Sequence, residues 1–274
     1  MNFAICNETF QDWPFDRAFA FAAECGYTGV EIAPFTIARN VTEISAGTRA
    51  EIRRQAATAG LEVIGLHWLL AKTEGLHLTS PEPAVRRRTA AYLGELARLA
   101  ADLGGRVMVF GSPQQRSLPP GVTIERGTNS AAEVFESLVP TLEANHVVLA
   151  LEPLTTAETD FLTTAAETVS LIERLGSPHI RLHLDCKAMS SESVPIVELI
   201  RRHRRLLAHV HANDPNRQGP GFGQLDFVPI FQALAEIGYQ DWISVEVFDF
   251  APGIERLARE SISYMRRCLA GLRR

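Results

Sequence analysis

Cysteine is scarce in this chain and follows no metal-binding or disulfide pattern. The 274 residues include four cysteines, with no CxxC spacing: Cys6, Cys25, Cys186 and Cys268. This arrangement argues against a zinc site built from cysteines and against a disulfide-stapled scaffold. It favours a protein that works in a reducing compartment, so a cytoplasmic location is expected.

Long apolar runs and an excess of basic residues are also missing. No stretch of about 18 apolar residues, the length that crosses a bilayer, occurs in the chain. The first ten residues, MNFAICNETF, lack the basic start and the apolar run of a signal peptide. Acidic residues outnumber basic ones by 32 to 27, for a net charge of −5. Because the chain is weakly acidic, no nucleic-acid or membrane partner is expected.

Nucleotide-binding motifs are absent, and a regular alternation of strand-like and helix-like segments is present. Neither GxGxxG after the first strand nor GxxxxGK[ST] occurs, so an open nucleotide-binding sheet loses support. The last helix-like segment, GIERLARESISYMRRCLAGLRR, reaches Arg274. Eight strand–helix units predict an α/β fold, a single (β/α)8 TIM-barrel domain over residues 1–274, with an open doubly wound sheet as the runner-up. The strand-like segments are FAICN, TGVEIAPF, LEVIGLHWLL, RVMVFGSP, VVLALEPL, IRLHLDCKAM, LLAHVHAND and WISVEVFDF.

Four of these strands carry a polar side chain near the end, where an apolar core is expected. The four are Glu152, Asp185, His211 and Glu246. A buried carboxylate or imidazole is costly without a partner, and the chemistry of a barrel lies at the C-terminal ends of its strands. Three carboxylates and one imidazole that converge there predict a divalent metal site. This donor set favours Mn²⁺ or Mg²⁺, with Co²⁺ as a further option, over a thiolate-rich zinc site.

Two more histidines share faces with these residues. Residues two apart on a strand point the same way, so His183 shares a face with Asp185, and His209 shares one with His211. Both would lie one layer deeper in the barrel. We expect each to be a hydrogen-bonded core histidine, with a hydrogen bond to the ligand carboxylates as the alternative. Glu31, in the second strand, is expected to be a structural acid outside the site.

The four motifs together resemble one known family. LEP with Glu152, LD with Asp185, HVHAND with His211 and SVEVF with Glu246 resemble the xylose isomerase-like barrel superfamily over essentially the whole chain. The match is greatest to its sugar isomerase and epimerase branch, including ketose 3-epimerases of the tagatose and allulose types. The resemblance implies one divalent metal held by these four residues, which chelates a ketose and stabilises an enediolate. It also implies that Glu152 and Glu246 are the catalytic acid and base.

The resemblance further implies contacts with a sugar. Glu158 matches a family substrate-binding glutamate, and Arg217 matches an arginine that contacts substrate oxygens. After the third strand, alternation lets only one of His67 and Trp68 point inward. We expect His67 to face the substrate and Trp68 to pack elsewhere.

One stretch departs from the family pattern. Many members carry LDxxHM, whereas this chain has LDCKAM, so Ala188 replaces a histidine that contacts the sugar. Lys187 before it is a candidate to face an anionic or oxidised group on the substrate. A solvated lysine at the barrel rim is the competing interpretation. The loss of this histidine argues against a free ketose, and the residues leave the identity of the substrate open.

Other functions stay open at this point. A lyase or hydrolase of the dehydratase or C-glycoside-cleaving type would use the same metal and bases. The abasic-site endonuclease branch has three metals, more histidines than the eight present here and a basic surface, so it is disfavoured. A non-catalytic sugar-binding protein would lose the metal ligands, and all four are present. The small-molecule partner is expected to be a sugar, and a homodimer or homotetramer is a further expectation.

Overall fold

The fold is a closed barrel of eight parallel strands. In the computed structural model, which describes residues 1–272, the strands pair in sequence order and the first strand also pairs with the eighth. The predicted barrel is confirmed, and the open sheet is wrong. The strands are β1 (Asn2–Cys6), β2 (Gly29–Ile32), β3 (Glu62–Leu66), β4 (Val107–Phe110), β5 (Val148–Leu151), β6 (Ile180–Asp185), β7 (Leu207–Ala212) and β8 (Trp242–Val245).

Helices connect successive strands and cover the outside of the barrel. The predicted last helix and domain included Arg273 and Arg274, which lie outside the described residues. None of the described helices has the length and apolar character needed to cross a membrane. The helices are α1 (Phe15–Cys25), α2 (Ala46–Thr58), α3 (Pro83–Leu103), α4 (Ile124–Asn145), α5 (Ala165–Leu175), α6 (Cys186–Met189), α7 (Ile196–Arg202), α8 (Val228–Glu236) and α9 (Ile254–Gly271).

Local sequence signals explain most helix ends. Gly26 follows α1 with a φ of 100°, a left-handed conformation that glycine adopts without strain. The helix after β4 begins at Ile124 because Thr123 caps it. The Thr123 hydroxyl accepts a hydrogen bond from the backbone N–H of Arg126 at 3.3 Å. All four cysteines are buried free thiols.

A one-residue shift of register lies between β6 and β7. The shift occurs just before His183, so that His183 pairs with His209 and Asp185 pairs with His211, while Ala208 is the extra residue. Such bulges redirect side chains and are frequent next to active sites. Here the bulge places two polar pairs on the inner face of the barrel. His183 lies beside His209, and Asp185 lies beside His211 one layer nearer the C-terminal end.

A second shift of register, between β2 and β3, lies just before Glu31. Glu31 pairs with Gly65 of β3, and the neighbouring strand β4 lies very close to that glycine. A Cβ atom at residue 65 would lie 2.1 Å from the backbone oxygen of Val107. Only glycine permits so close an approach of two strands.

We expect Gly65→Ala to destabilise the barrel by about 1–3 kcal/mol, because strand β4 must move to admit the methyl group. The measurement is urea unfolding followed by circular dichroism. Gly47→Ala, on the exposed second residue of α2, is the matched control and should leave stability unchanged or slightly higher. Equal unfolding midpoints for the two variants would contradict the close approach.

Candidate active site

Buried polar side chains meet at the C-terminal ends of β5–β8. One ligand atom from each of Glu152, His183, Asp185 and His211 lies within 4.8 Å of the others. Glu246, directly after β8, joins this cluster because its Oε2 lies 3.1 Å from His211 Nδ1. All five residues are buried. The four side chains expected to bind a metal therefore come together, with His183 as an additional neighbour.

The charges in this cluster are poorly balanced by the protein alone. Burial, with Asp185 and Glu246 as negative neighbours, raises the pKa of Glu152 well above its usual value. Burial also raises the pKa of Asp185, against the opposing effect of Lys187. Carboxylates this close do not all ionise unless a cation lies among them. Three carboxylates and an imidazole suit a hard or borderline divalent ion, so the donor set fits the expected metal.

Glu246 differs from Glu152 because a polar side chain contacts each of its two carboxylate oxygens. Trp68 Nε1 donates to Glu246 Oε1 at 2.8 Å, and His211 Nδ1 lies 3.1 Å from the other oxygen. Burial would raise the pKa of Glu246, but His211 and Trp68 outweigh it and bring the pKa below its usual value. The environments thus shift the pKa values of the two glutamates in opposite directions, as paired acids and bases require.

The expectation that only one of His67 and Trp68 faces inward is wrong. Both residues follow the end of β3, where strand alternation no longer applies, and Trp68 has a φ of 53°. His67 is 1% exposed and its Nε2 donates to Glu8 Oε2 at 2.5 Å, whereas Trp68 is 38% exposed and reaches Glu246. Trp68 is the more accessible of the two. Contact between His67 and a substrate stays a prediction.

A hydrogen-bond network beneath the cluster orients His211. The carboxylate of Glu31 is fully buried, accepts hydrogen bonds from Ser244 Oγ at 2.7 Å and His209 Nε2 at 2.9 Å, and lies 3.2 Å from His211 Nε2. Burial opposes ionisation, but His211 and His209 lower the pKa of Glu31 well below its usual value. With Nε2 directed at Glu31, Nδ1 is left facing Glu246, an arrangement common behind metal-binding histidines. Glu31 therefore contacts the site from which sequence reasoning excluded it.

The two deeper histidines differ from each other. His209 bonds to Glu31 and Ser244, so the expectation of a hydrogen-bonded core histidine is confirmed there. Among residues 1–272, neither ring nitrogen of His183 has a hydrogen-bond partner, so the same expectation is wrong for His183. The His183 ring lies edge-on to His211, with their centroids 4.2 Å apart.

The stretch after β6 orients Asp185. Asp185 Oδ1 accepts a hydrogen bond from the backbone N–H of Ala188 at 2.7 Å, and Oδ2 accepts one from Asn213 Nδ2 at 2.5 Å. Asp185 therefore caps the short helix α6, whose first residue is Cys186. The alternation of strand side chains therefore ends at Asp185, because the chain is already helical at Cys186.

Three expected substrate contacts lie at the mouth of the barrel. Lys187 Nζ donates to Glu158 Oε1 at 2.7 Å and lies 4.8 Å from the centre of the Phe248 ring. Arg217 is exposed, and its guanidinium carbon lies 5.9 Å from the same ring. Lys187 is therefore paired with an acid. Substrate binding by these three residues stays a prediction.

A cavity of about 640 Å³ opens beside Trp68 and provides room for a small molecule. Its aromatic walls suit the apolar faces of sugar rings. The polar groups Glu8 and Arg217 also line it. The aromatic lining residues are Trp13, Phe15, Phe35, Trp68, Phe248 and Phe250.

Comparison with known proteins identifies the family. Residues 19–268 match the model of the xylose isomerase-like TIM barrel family. The chain belongs to this family. The resemblance inferred from the strand-end motifs is thereby confirmed.

The family relatives that the chain resembles include named sugar epimerases. An L-ribulose 3-epimerase of Mesorhizobium japonicum is 34% identical over 188 residues, which cover 67% of this chain and 62% of that protein. A 3-dehydro-D-guloside 4-epimerase of Escherichia coli is 25% identical over 91% of this chain and 93% of its own length. The structure of a D-psicose 3-epimerase from Clostridium cellulolyticum H10 has a TM-score of 0.86 at 22% identity and covers 98% of this chain and 99% of that one. The alignment with the L-ribulose 3-epimerase spans less than two thirds of that protein's length. The D-psicose 3-epimerase structure, at 22% identity, shows a similar fold.

A buried arginine links two loops at the C-terminal end of the barrel strands. Arg116, after β4, is 0% exposed, and its Nη1 and Nη2 donate to the backbone oxygens of Glu152 at 2.6 Å and Leu162 at 3.0 Å. Burial lowers the pKa of Arg116 to about 10, although Glu152 and Glu158 oppose the shift. The guanidinium thus fixes the backbone that carries Glu152. Sequence reasoning gave Arg116 no role, because its two acceptors lie in another loop.

We expect Arg116→Met to destabilise the protein by about 2–4 kcal/mol, because two buried carbonyl groups lose their charged donor. Urea unfolding measures the change. Arg54→Met, at an exposed arginine of α2, is the control and should unfold at the wild-type midpoint. If Arg116→Met unfolds at the wild-type midpoint too, burial of the guanidinium costs as much as its hydrogen bonds contribute.

Proposed function

We propose that this chain is a divalent-metal-dependent epimerase or isomerase of a sugar or sugar derivative. The observation that carries the proposal is the convergence of buried Glu152, Asp185 and His211 with Glu246 at the C-terminal end of the barrel. Relatives named as sugar 3-epimerases and as a 4-epimerase support it. A site on four successive strands is also where enzymes of this fold carry their chemistry.

The metal in this proposal would be held by Glu152, Asp185, His211 and Glu246. The ion is Mn²⁺ in the first instance, with Mg²⁺ and Co²⁺ as the other options that carboxylate-rich donors accept. When bound, it supplies positive charge that stabilises an enediolate. Asp185, fixed by Ala188 and Asn213, and His211, fixed by Glu31, serve chiefly to hold it.

Glu152 and Glu246 would move the protons. In one direction Glu246, kept ionised by Trp68 and His211, removes the carbon-bound proton next to the carbonyl. Glu152, whose pKa is raised, then delivers a proton to the opposite face of that carbon or to its neighbour. In the reverse direction the two glutamates exchange roles.

The rest of the mouth would select the substrate. We propose that Glu158, Arg217 and His67 contact sugar oxygens. The pairing of Lys187 with Glu158 where the family histidine is replaced by Ala188 favours a sugar derivative over a free ketose. Elimination by a lyase remains the second candidate, because proton removal beside a carbonyl also permits loss of a neighbouring group. Homo-oligomerisation, a cytoplasmic location and the lack of a nucleic-acid partner also stay predictions.

The test is a product assay on free ketoses and on 3-keto glycosides, with metal removed by a chelator and then restored. Stereochemical inversion or a shifted carbonyl supports the proposal, whereas loss of water or of an aglycone supports the lyase. We expect Glu152→Gln and Glu246→Gln each to lower kcat by about 10²- to 10⁴-fold while the protein stays folded. Circular dichroism checks folding.

The surface variant Glu133→Gln, on α4, is the matched control and should keep wild-type turnover. Activity of either site variant within about tenfold of wild type would overturn the acid/base roles, since general acid–base catalysis contributes at least about 10²-fold. Full activity after chelation would overturn metal dependence.

We expect Trp68→Phe to lower kcat by about 10- to 100-fold with a smaller change in KM, because Glu246 loses the N–H donor that orients it. Steady-state kinetics on the substrate found above measure both constants. Trp242→Phe, at the start of β8 and the opposite end of the barrel, makes the same substitution away from the site. The idea fails if the two variants behave alike.

A further inference from the structure

The imidazole of His183 lies deep inside the barrel. It is 0% exposed, and neither of its ring nitrogens has a hydrogen-bond partner within residues 1–272. A barrel interior is normally filled by branched apolar residues, which would occupy this place without an unpaired polar group. His209, at the same depth on the next strand, has two partners. Packing alone therefore does not account for a histidine at residue 183.

The surroundings of His183 are the metal-binding residues themselves. The register shift ahead of it aligns His183 with His209 and Asp185 with His211. One atom from each of Glu152, His183, Asp185 and His211 lies within 4.8 Å of the others. Donors on opposite sides of an ion with bonds of about 2.1 Å would lie about 4.2 Å apart. Donors at adjacent positions lie closer still, so these side chains would have to move inward to hold one ion together.

We infer that His183 is a fifth donor to the metal ion, supplying a ring nitrogen from the deeper layer of the barrel. The inference rests on the proposed function and adds to its ligand set. A neutral imidazole always has one nitrogen with a free lone pair, which a metal ion can bind. His183 shares the inner face of β6 with Asp185, so the two reach one ion from successive layers.

A fifth donor that is nitrogen changes which metal the site prefers. Three carboxylates and one imidazole suit Mn²⁺ or Mg²⁺, whereas a second imidazole favours later ions of the first row. Co²⁺ should therefore gain more from His183 than Mn²⁺ does. The difference between the affinities for the two ions is a property of the site that does not depend on catalysis.

The experiment measures Co²⁺ and Mn²⁺ binding to the metal-free protein by calorimetry, together with the visible absorption of the Co²⁺ form. In His183→Leu we expect Co²⁺ affinity to fall by about 10- to 100-fold, Mn²⁺ affinity to fall less and the Co²⁺ spectrum to change. Removal of an unpaired buried group should leave the metal-free protein at least as thermally stable as wild type. His203→Leu, at the end of α7, is the matched control and should bind both ions as wild type does.

The outcomes separate this inference from the proposed function. Wild-type affinity and an unchanged Co²⁺ spectrum in His183→Leu would overturn the fifth donor and leave the four-residue site intact. A wild-type protein that binds neither ion would overturn the proposed metal site and the inference together. If His183→Leu does not fold, His183→Gln, which lacks the imidazole and keeps a polar side chain, is measured against the same two criteria.

Discussion

Repulsion among buried carboxylates is the constraint on which the C-terminal end of this barrel depends. Glu152, Asp185 and Glu246 lie around one imidazole, and their negative charges cannot coexist there without compensation. Glu246 is compensated by His211 and Trp68, and Arg116 is the cation nearest to the backbone of Glu152. A divalent ion would supply the positive charge that Glu152 and Asp185 still lack.

Much of this arrangement could be predicted because it has a local signature. In a sequence, buried parallel strands are short apolar runs. A carboxylate such as Glu152 or an imidazole such as His211 at the end of such a run is therefore easy to recognise. Eight such runs alternating with helical segments define the barrel. The strand order then follows, because successive parallel strands joined by helices lie side by side.

The remainder depended on contacts between distant elements. The register shift before His183 depends on how β6 and β7 pair, and neither strand contains a sequence signal that predicts it. Trp68 reaches Glu246 only because the chain takes a left-handed turn after β3, a conformation that is uncommon for tryptophan. Glu31 looked structural because its partners, His209 and Ser244, lie on strands far along the sequence. Strand periodicity describes single strands and cannot supply such pairings.

The closed order of the strands separates two kinds of contribution to the site. The expected metal ligands, from Glu152 to Glu246, all come from the second half of the chain. Three residues that orient them, Glu31, Trp68 and Arg116, come from the first half, while Asn213, which orients Asp185, comes from the second. In the proposed enzyme, substitutions at Glu31, Trp68 or Arg116 would alter the orientation of the site without removing a metal ligand. Substitutions at the strand ends of the last four strand–helix units would remove a ligand, and at Glu152 or Glu246 a proton-transferring group as well.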